Sequence, residues 1–558
     1  MLSSETVSST AAGRIGSGWL VPLLVGVAAG LLYMINLDRL PHPDELHHVL
    51  AARSLLETGE PRIAEGLYTR TLLHTWLVAE SYRLFGDSLA AARVPSVVCM
   101  AALVALLFTW LRREAGIAAA WVGTLLFALS PFAIDIAQYV RFYAPQCLTF
   151  FLAAVLAYEA VSSHRDLRRQ LFLAGLALPL LLLAIYFQPT SLIGTVGLGL
   201  WALGALGLPW LTDAAVPHPR KLVMTGALVA LSLVLLAGLA ASGILGELWH
   251  RYRWTPLFDR PTANEFWYYH AYYNLFYPTL WPLTGLLGLL GVAAVPRPAV
   301  FALAMFGTAF LLNSFGGPKS LHYIAYAHPF LFIVWGIGLT SLWPWLRRLT
   351  AEITDRLADV LDSAGQRVAG LLVAGAIVFL LLANPVWVRM VTMLADIPVP
   401  PERPKPDWLL AKAALTPWVD RADVVVTTEE LGTLYFLGRY DIRFSRSKLE
   451  EMPEEDEHDF SRDYRTGRPV IGSPEALERV FACYRTGVIL GPLDSWSKPH
   501  VISSEISRLI TARAQPLRLP PRSRIYAYVW EHPSSPPAEM DCAGLPKFSG
   551  RPSLGGPG

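Results

Sequence analysis

The stretch SGWLVPLLVGVAAGLLYMINLDRLPHPDELHHVL, residues 17–50, decides how the chain is read. Residues 17–37 form an apolar run without a single Lys, Arg, Asp or Glu. Crossing the hydrocarbon of a bilayer takes about 20 helical residues. A cleaved signal peptide is the alternative, but a run this long reads better as an uncleaved first span. The stretch then ends on HPDELHHVL, residues 42–50, with Asp44 and Glu45 beside His42, His47 and His48. A helix that only anchored the chain would need none of these groups.

Outward from there, apolar runs recur near residues 92–111, 116–134, 142–161, 170–187, 190–211, 221–245, 275–295, 298–314, 323–346 and 368–388. With the first, they make roughly eleven spans. Composition agrees. Of the 558 residues, 53% are hydrophobic and 16% charged, against about 25% charged in soluble domains. Mean hydropathy is +0.40. The formal charge of +2 gives no field for nucleic acid. The fold class expected is a polytopic α-helical membrane protein in the inner (cell) membrane, with a small C-terminal extracytoplasmic α/β domain.

Basic residues set the orientation. With the N-terminus cytoplasmic, the inside loops hold Arg112 and Arg113, then Arg165, Arg168 and Arg169, then Arg220 and Lys221, Arg297, and Arg347, Arg348, Arg356 and Arg367. The outer turns are poor in Lys and Arg. HPDELHH, DIAQYVR (135–141), the aromatic loop 246–274 and GGPKSLHY (316–323) then face outside, as does the C-terminal region. Within the first outer loop, Leu46, Val49, Leu50 and Leu56 recur at helical spacing before Gly59, and Leu72, Leu73, Trp76 and Leu77 do so before Gly86. Both segments read as amphipathic helices at the membrane surface.

Residues 1–390 are thus expected as a membrane domain that includes the outer-loop helices 43–86. Prolines 398, 400, 401, 404 and 406 mark a linker. Beyond it, residues 422–428, 486–490 and 523–530 read as strands, and 429–438, 474–484 and 502–512 as helices, making an α/β domain over 391–531. The acidic run 450–459 reads as a solvated loop. Residues 532–558, rich in Pro, Gly and Ser, read as a disordered tail. Cys99 and Cys147 lie in apolar runs, whereas Cys483 and Cys542 would suit a disulfide in an oxidising compartment, which spacing alone does not establish.

Several outer residues carry candidate chemistry. Asp44 and Glu45 read either as dipole-favoured residues of a first helical turn or as a general base with its neighbour. Asp44 and His48 are four residues apart, a spacing open to metal, although HPDELHH is not HExxH. Asp135, Arg141 and Tyr143 stand at the second outer turn. Arg141 reads as an interface anchor or as a two-pronged phosphate clamp. Lys319, His322 and Tyr323 stand at the third, with Lys319 a snorkelling anchor or a phosphate partner. The Trp- and Tyr-rich loop 251–274 reads as an interfacial belt or a lid. No phosphate-cradling glycine loop points to a nucleotide donor.

Taken in order, HPDELHHVLAARSLLETGEP, LLHTWLVAESYRLFGDSLAAARVPSVV, QYVRFYAPQCLTFFLAAVLAY and PKSLHYIAYAHPFLF resemble the polyprenyl-phosphate-sugar-dependent GT-C glycosyltransferases. The nearest likeness is to protein O-mannosyltransferases and their bacterial relatives that transfer aminoarabinose to lipid A. It covers about residues 15–345, with His322 where that family more often has Arg. It implies transfer of a sugar from a polyprenyl-phosphate-linked donor to a hydroxyl of a protein, lipid or glycan at the outer leaflet. Asp44 would be the base, with Glu45 and Asp135 as supporting carboxylates. Arg141, Lys319, His322, Tyr143 and Tyr323 would hold the donor phosphate. No cofactor is required by this reading, and a divalent metal on Asp44 and His48 stays an alternative. The rival classes are a transporter or flippase of lipid-linked substrates, disfavoured by span centres nearly free of charge, and a metal-dependent membrane hydrolase.

Overall fold

The computed structural model describes residues 19–162, 167–212, 266–315, 319–356, 383–398, 404–453, 457–496 and 501–531, with Val368, Gly375, Phe379, Lys498, Cys542 and Leu545 besides. The chain divides into two compact units. One comprises residues 1–35, 96–138 and 143–395, the other residues 36–95, 139–142 and 396–558.

The first unit is a helical membrane unit. Among the described residues, helices long and apolar enough to cross a bilayer are Leu89–Ala128, Tyr143–Ser162, Arg168–Phe187, Pro296–Phe315 and Leu321–Trp345, with shorter apolar helices at Leu20–Tyr33, Ser191–Ala205 and Thr284–Ala294. Gly116, at φ 87°, breaks Leu89–Ala128 near the expected division between two spans. The span expected at 275–295 is interrupted: one helix ends at Phe276 and the next begins at Thr284. Pro278 and Pro282 fall between them, each removing a backbone donor and restricting the residue before it. The span expected at 221–245, most of 368–388 and the loop residues 251–265 lie outside the described residues, as does the expected tail apart from Cys542 and Leu545. Where Leu89–Ala128 meets His328–Arg356, a Cβ on Gly336 would come within 2.8 Å of the Gly123 Cα. Small residues let the two backbones approach in this way.

The second unit is built on a seven-stranded sheet in the order β5-β6-β4-β3-β7-β9-β8. The strands are β3 (Val424–Thr427), β4 (Ile442–Phe444), β5 (Ser461–Arg462), β6 (Pro469–Ile471), β7 (Thr486–Pro492), β8 (Gln515–Pro516) and β9 (Ile525–Glu531). The central four are parallel and the edges antiparallel. A two-stranded hairpin, β1 (Arg62–Ile63) with β2 (Gly66–Leu67), belongs to the same unit. Period-two alternation splits the core. Val424, Val426 and Ile489 face the helices Pro474–Cys483 and Ser504–Arg513. Val425, Val488 and Leu490 face Trp408–Arg421 and Glu430–Leu437.

That second face also takes up the outer-loop helix Leu46–Thr58, through Leu46, Val49 and Leu50. Its apolar stripe therefore fills an α/β core instead of lying on a membrane. The helix Leu72–Phe85 inserts Val78, Ala79 and Tyr82 into the same core but leaves Leu72, Trp76 and Phe85 exposed. The outer loop expected to belong to the membrane domain is thus part of the sheet-bearing unit. Asp459, expected in a solvated run, accepts from Gly472 N at 2.7 Å and from the Ser473 hydroxyl, securing the start of the helix Pro474–Cys483. Cys483 and Cys542 form a disulfide.

Candidate active site

In the second unit, His42 to Glu45 form a tight helical turn. Pro43 suits its first position, and Glu45 Oε1 accepts from His42 N at 2.8 Å. Asp44 and Glu45 then part company. Glu45 points inward and is 2% exposed. Arg93, fully buried, donates to both of its oxygens at 2.9 and 2.8 Å. The same guanidinium donates to the carbonyls of Leu37 and Arg39 at 2.7 and 2.9 Å. Val140 N adds a fourth donor to Glu45, at 3.1 Å. Burial alone would raise this carboxyl, but Arg93 holds it below its ordinary range. With its oxygens accepting from His42, Arg93 and Val140, the Glu45 carboxylate is turned into the fold and does not line the cavity that Asp44 lines.

Asp44 is half-buried and lines a cavity of about 170 Å³ with His47, Tyr68, Arg70, Arg141, Tyr464 and Arg465. Arg141 Nη1 donates to the Asp44 carbonyl at 3.2 Å. The Tyr139 hydroxyl lies 3.2 Å from His42 Nδ1 and 3.5 Å from Asp44 Oδ2. Arg465 Nη1 is 3.4 Å from His47 Nε2. An arginine only donates, so Nε2 is the acceptor and His47 Nδ1–H donates to the Asp44 carbonyl at 3.2 Å. Burial, then Arg141 and Arg465, keep His47 far below its ordinary pKa and hence neutral. Arg70 and Arg141 each lie 5.0 Å from the Phe142 ring, a cation–π arrangement that holds both near the cavity.

His48 takes no part with Asp44. It is fully buried, with Nδ1 2.9 Å from Thr75 Oγ1 and Nε2 3.4 Å from the Tyr68 hydroxyl. Both ring nitrogens thus have polar neighbours other than Asp44. Among the described residues, no group of three or more His, Cys, Asp and Glu side chains is placed to hold a metal.

The membrane unit gathers the other expected residues. Asp135 Oδ2 meets His322 Nε2 at 2.8 Å, and Tyr143 stacks on the His322 ring at 5.0 Å. Ser320 Oγ lies 3.2 Å from His322 Nδ1. Lys319 donates to the carbonyls of Asn313 and Ser314 at 2.6 and 2.8 Å, with Tyr269 at cation–π distance. Burial lowers this ammonium to about 8. Tyr323 is half-buried on the same turn, its N–H donating to the Ser320 carbonyl.

Sequence reasoning missed Tyr68, Arg70, Tyr139, Tyr464 and Arg465. Arg70 stood next to a stretch already singled out, and Tyr139 inside one, DIAQYVR. Tyr464 and Arg465 lie more than 300 residues from the rest, and no local pattern marks them.

Residues 69–236 match the family model described as dolichyl-phosphate-mannose-protein mannosyltransferase. No curated protein matches the sequence. Among solved structures, the chain is similar to ArnT from Cupriavidus metallidurans bound to undecaprenyl phosphate, with a TM-score of 0.56 and 15% identity over 92% of this chain and 98% of that one. It is similar too to the archaeal oligosaccharyltransferase AglB from Archaeoglobus fulgidus in complex with an inhibitory peptide and a dolichol-phosphate. There the TM-score is 0.52, with 11% identity over 91% of this chain and 74% of that one. At such identities the likeness is one of fold.

Proposed function

We propose that this chain is a membrane glycosyltransferase of the GT-C superfamily and moves a sugar from a polyprenyl-phosphate donor to an acceptor hydroxyl at the extracytoplasmic face, a reading supported by the family-model match and the likeness of fold. The observation that carries the proposal is the convergence of Asp44 and Arg141, 97 residues apart, on one cavity with an Arg141–Asp44 contact of 3.2 Å. The Cys483–Cys542 disulfide supports an oxidising, extracytoplasmic location for the sheet-bearing unit.

In this mechanism the Asp44 carboxylate takes the proton of the acceptor hydroxyl as that oxygen attacks the anomeric carbon. The bond from that carbon to the phosphate oxygen breaks, and its electron pair leaves with the polyprenyl phosphate. Attack opposite the leaving group inverts the anomeric centre. An anionic phosphate leaves without a general acid, so the reaction needs one base and cations rather than the two carboxyl groups of a glycosidase. Arg141 stabilises the negative charge gathering on the phosphate, and Lys319, in the membrane unit, is proposed as a cation for donor binding. Within the membrane unit, Asp135 orients His322, and Tyr143 packs on that ring. Glu45 acts through its neighbours: it fixes the turn that carries Asp44 and, through Val140 N, the backbone beside Arg141. The acceptor is a protein, a lipid or a glycan.

Incubating the purified full-length protein with a panel of polyprenyl-phosphate sugars and candidate acceptors tests this. The expected result is turnover of one donor class with inverted anomeric configuration in the product. Retention of configuration in that product would contradict direct attack assisted by Asp44.

A further inference from the structure

The turn Asp463–Arg468, between β5 and β6, is locked onto the β1–β2 hairpin. The backbone N–H groups of Glu65 and Gly66 both donate to the Thr466 carbonyl, at 3.1 and 3.0 Å. A Cβ on Gly66 would sit 2.2 Å from the Arg465 carbonyl oxygen, so the approach requires glycine. Arg468 adds a two-pronged pair with Glu65, at 2.8 and 3.0 Å. Asp463, fully buried, accepts from Arg465 N at 2.9 Å and lies 3.7 Å from Arg465 Nε. One edge of the guanidinium is thus anchored on Asp463. At the other edge, Nη1 meets His47 Nε2 at 3.4 Å.

A neutral imidazole has one N–H and one ring lone pair, and the partner of one nitrogen decides the role of the other. Arg465 takes the lone pair of Nε2, so the proton sits on Nδ1 and is given to the Asp44 carbonyl at 3.2 Å. The same carbonyl accepts from Arg141 Nη1 at 3.2 Å. The peptide that carries Asp44 is therefore gripped by two donors, and one of them depends on Arg465. His47 is faced by Asp44 and His48 from its own segment, by Tyr68 and Arg70 from the chain after β2, by Arg141, and by Arg465. Tyr68 stacks on its ring at 5.7 Å. Burial, then Arg141 and Arg465, bring His47 down to about 3, against the opposing pull of Asp44.

We propose that Arg465 is a positioning residue for the base: carried to the cavity by the locked turn of the α/β domain, it holds His47 neutral with its proton on Nδ1, and through His47 it fixes the backbone of Asp44. The α/β domain then takes part in catalysis without touching the reacting atoms. The role of Asp44 as base rests on the glycosyltransferase reading; the hold of Arg465 on His47 does not.

The test is nitrogen NMR of the full-length protein, histidine-labelled and purified in detergent, with the His47 signal assigned by its loss in His47→Gln. Wild-type His47 is expected to stay neutral from about pH 5 upward, the lower edge of the usual histidine range, with its proton on Nδ1. In Arg465→Ala the midpoint should rise by about one to three units, the scale for a charge at contact distance. Arg465→Lys keeps a cation and a donor there, and should hold the midpoint down. A wild-type His47 that titrates near its ordinary value, or that carries its proton on Nε2, overturns the proposal without any variant. So does an unmoved His47 midpoint in an Arg465→Ala protein that keeps its melting temperature. In sugar transfer, Arg465→Ala should move the acid limb of the kcat profile to higher pH, because an imidazolium beside Asp44 makes its carboxylate a weaker base. Arg465→Lys should move it back. A loss of equal size at every pH would contradict a role through His47. Absence of transfer with every donor would count against the glycosyltransferase reading alone, and the NMR result would decide on Arg465.

Discussion

The sealed nest around Glu45 and the open cavity around Asp44 begin one residue apart, and both contain a carboxylate beside arginine. In the nest, Arg93 and Glu45 are 0% and 2% exposed, and the pair satisfies the Leu37 and Arg39 carbonyls and the His42 and Val140 N–H groups. In the cavity, Asp44 is half-buried, Arg141 donates to its backbone carbonyl, and the Tyr139 hydroxyl lies 3.5 Å from its Oδ2. The first arrangement spends its charges on structure. The second leaves charge where a substrate can meet it. A sequence that reads only DE cannot distinguish the two, because the difference lies in which partner comes from far along the chain.

The largest expected effect breaks the nest. Arg93→Leu leaves Glu45 buried without its partner, which costs about 3–5 kcal/mol. Denaturation of the purified protein should show the loss directly; a stability within about 0.5 kcal/mol of wild type, the usual scatter for surface changes, would mean that the pair is not structural. The sign with pH follows from the same contact. Glu45 is lowered below its ordinary value, so its contribution is fully present above the ordinary carboxylate range and is lost as pH falls through the lowered value.

A smaller effect sharpens the cavity side. Arg141→Ala should raise donor KM about ten- to hundred-fold, as expected for a charge-assisted contact, with a melting temperature close to wild type. Equal loss of stability and activity would move Arg141 into the structural class with Arg93. Smaller again is the effect of pH on Lys319. Burial lowers it to about 8, so the cation is present below that pH and is lost as pH rises through it. Donor KM should climb over this range, and Lys319→Arg should flatten the climb, since arginine stays charged. An identical pH profile in that variant would remove Lys319 from donor binding.

Much of the architecture was legible. Spanning runs such as 143–162 and 296–315, and the α/β alternation from Val424 to Glu531, follow from apolar length and period. Two things were not. Leu46, Val49 and Leu50 show the same stripe whether they meet lipid or a sheet, so periodicity gave a helix and not its partner. The helix Trp408–Arg421 carries Pro417 and follows a proline-rich linker, which masked it. Asp44 and Arg141, which line one cavity, stood out in the sequence because each sits at the end of an apolar run. Arg465 was invisible because its place depends on Gly66 and Thr466 meeting across some 400 residues.

The most direct measurement compares Asp44→Asn with wild type in sugar transfer and in thermal unfolding, side by side. Removal of a general base should lower kcat about 10²- to 10⁴-fold while the melting temperature stays where it was. Wild-type kcat in a folded Asp44→Asn protein would contradict the account.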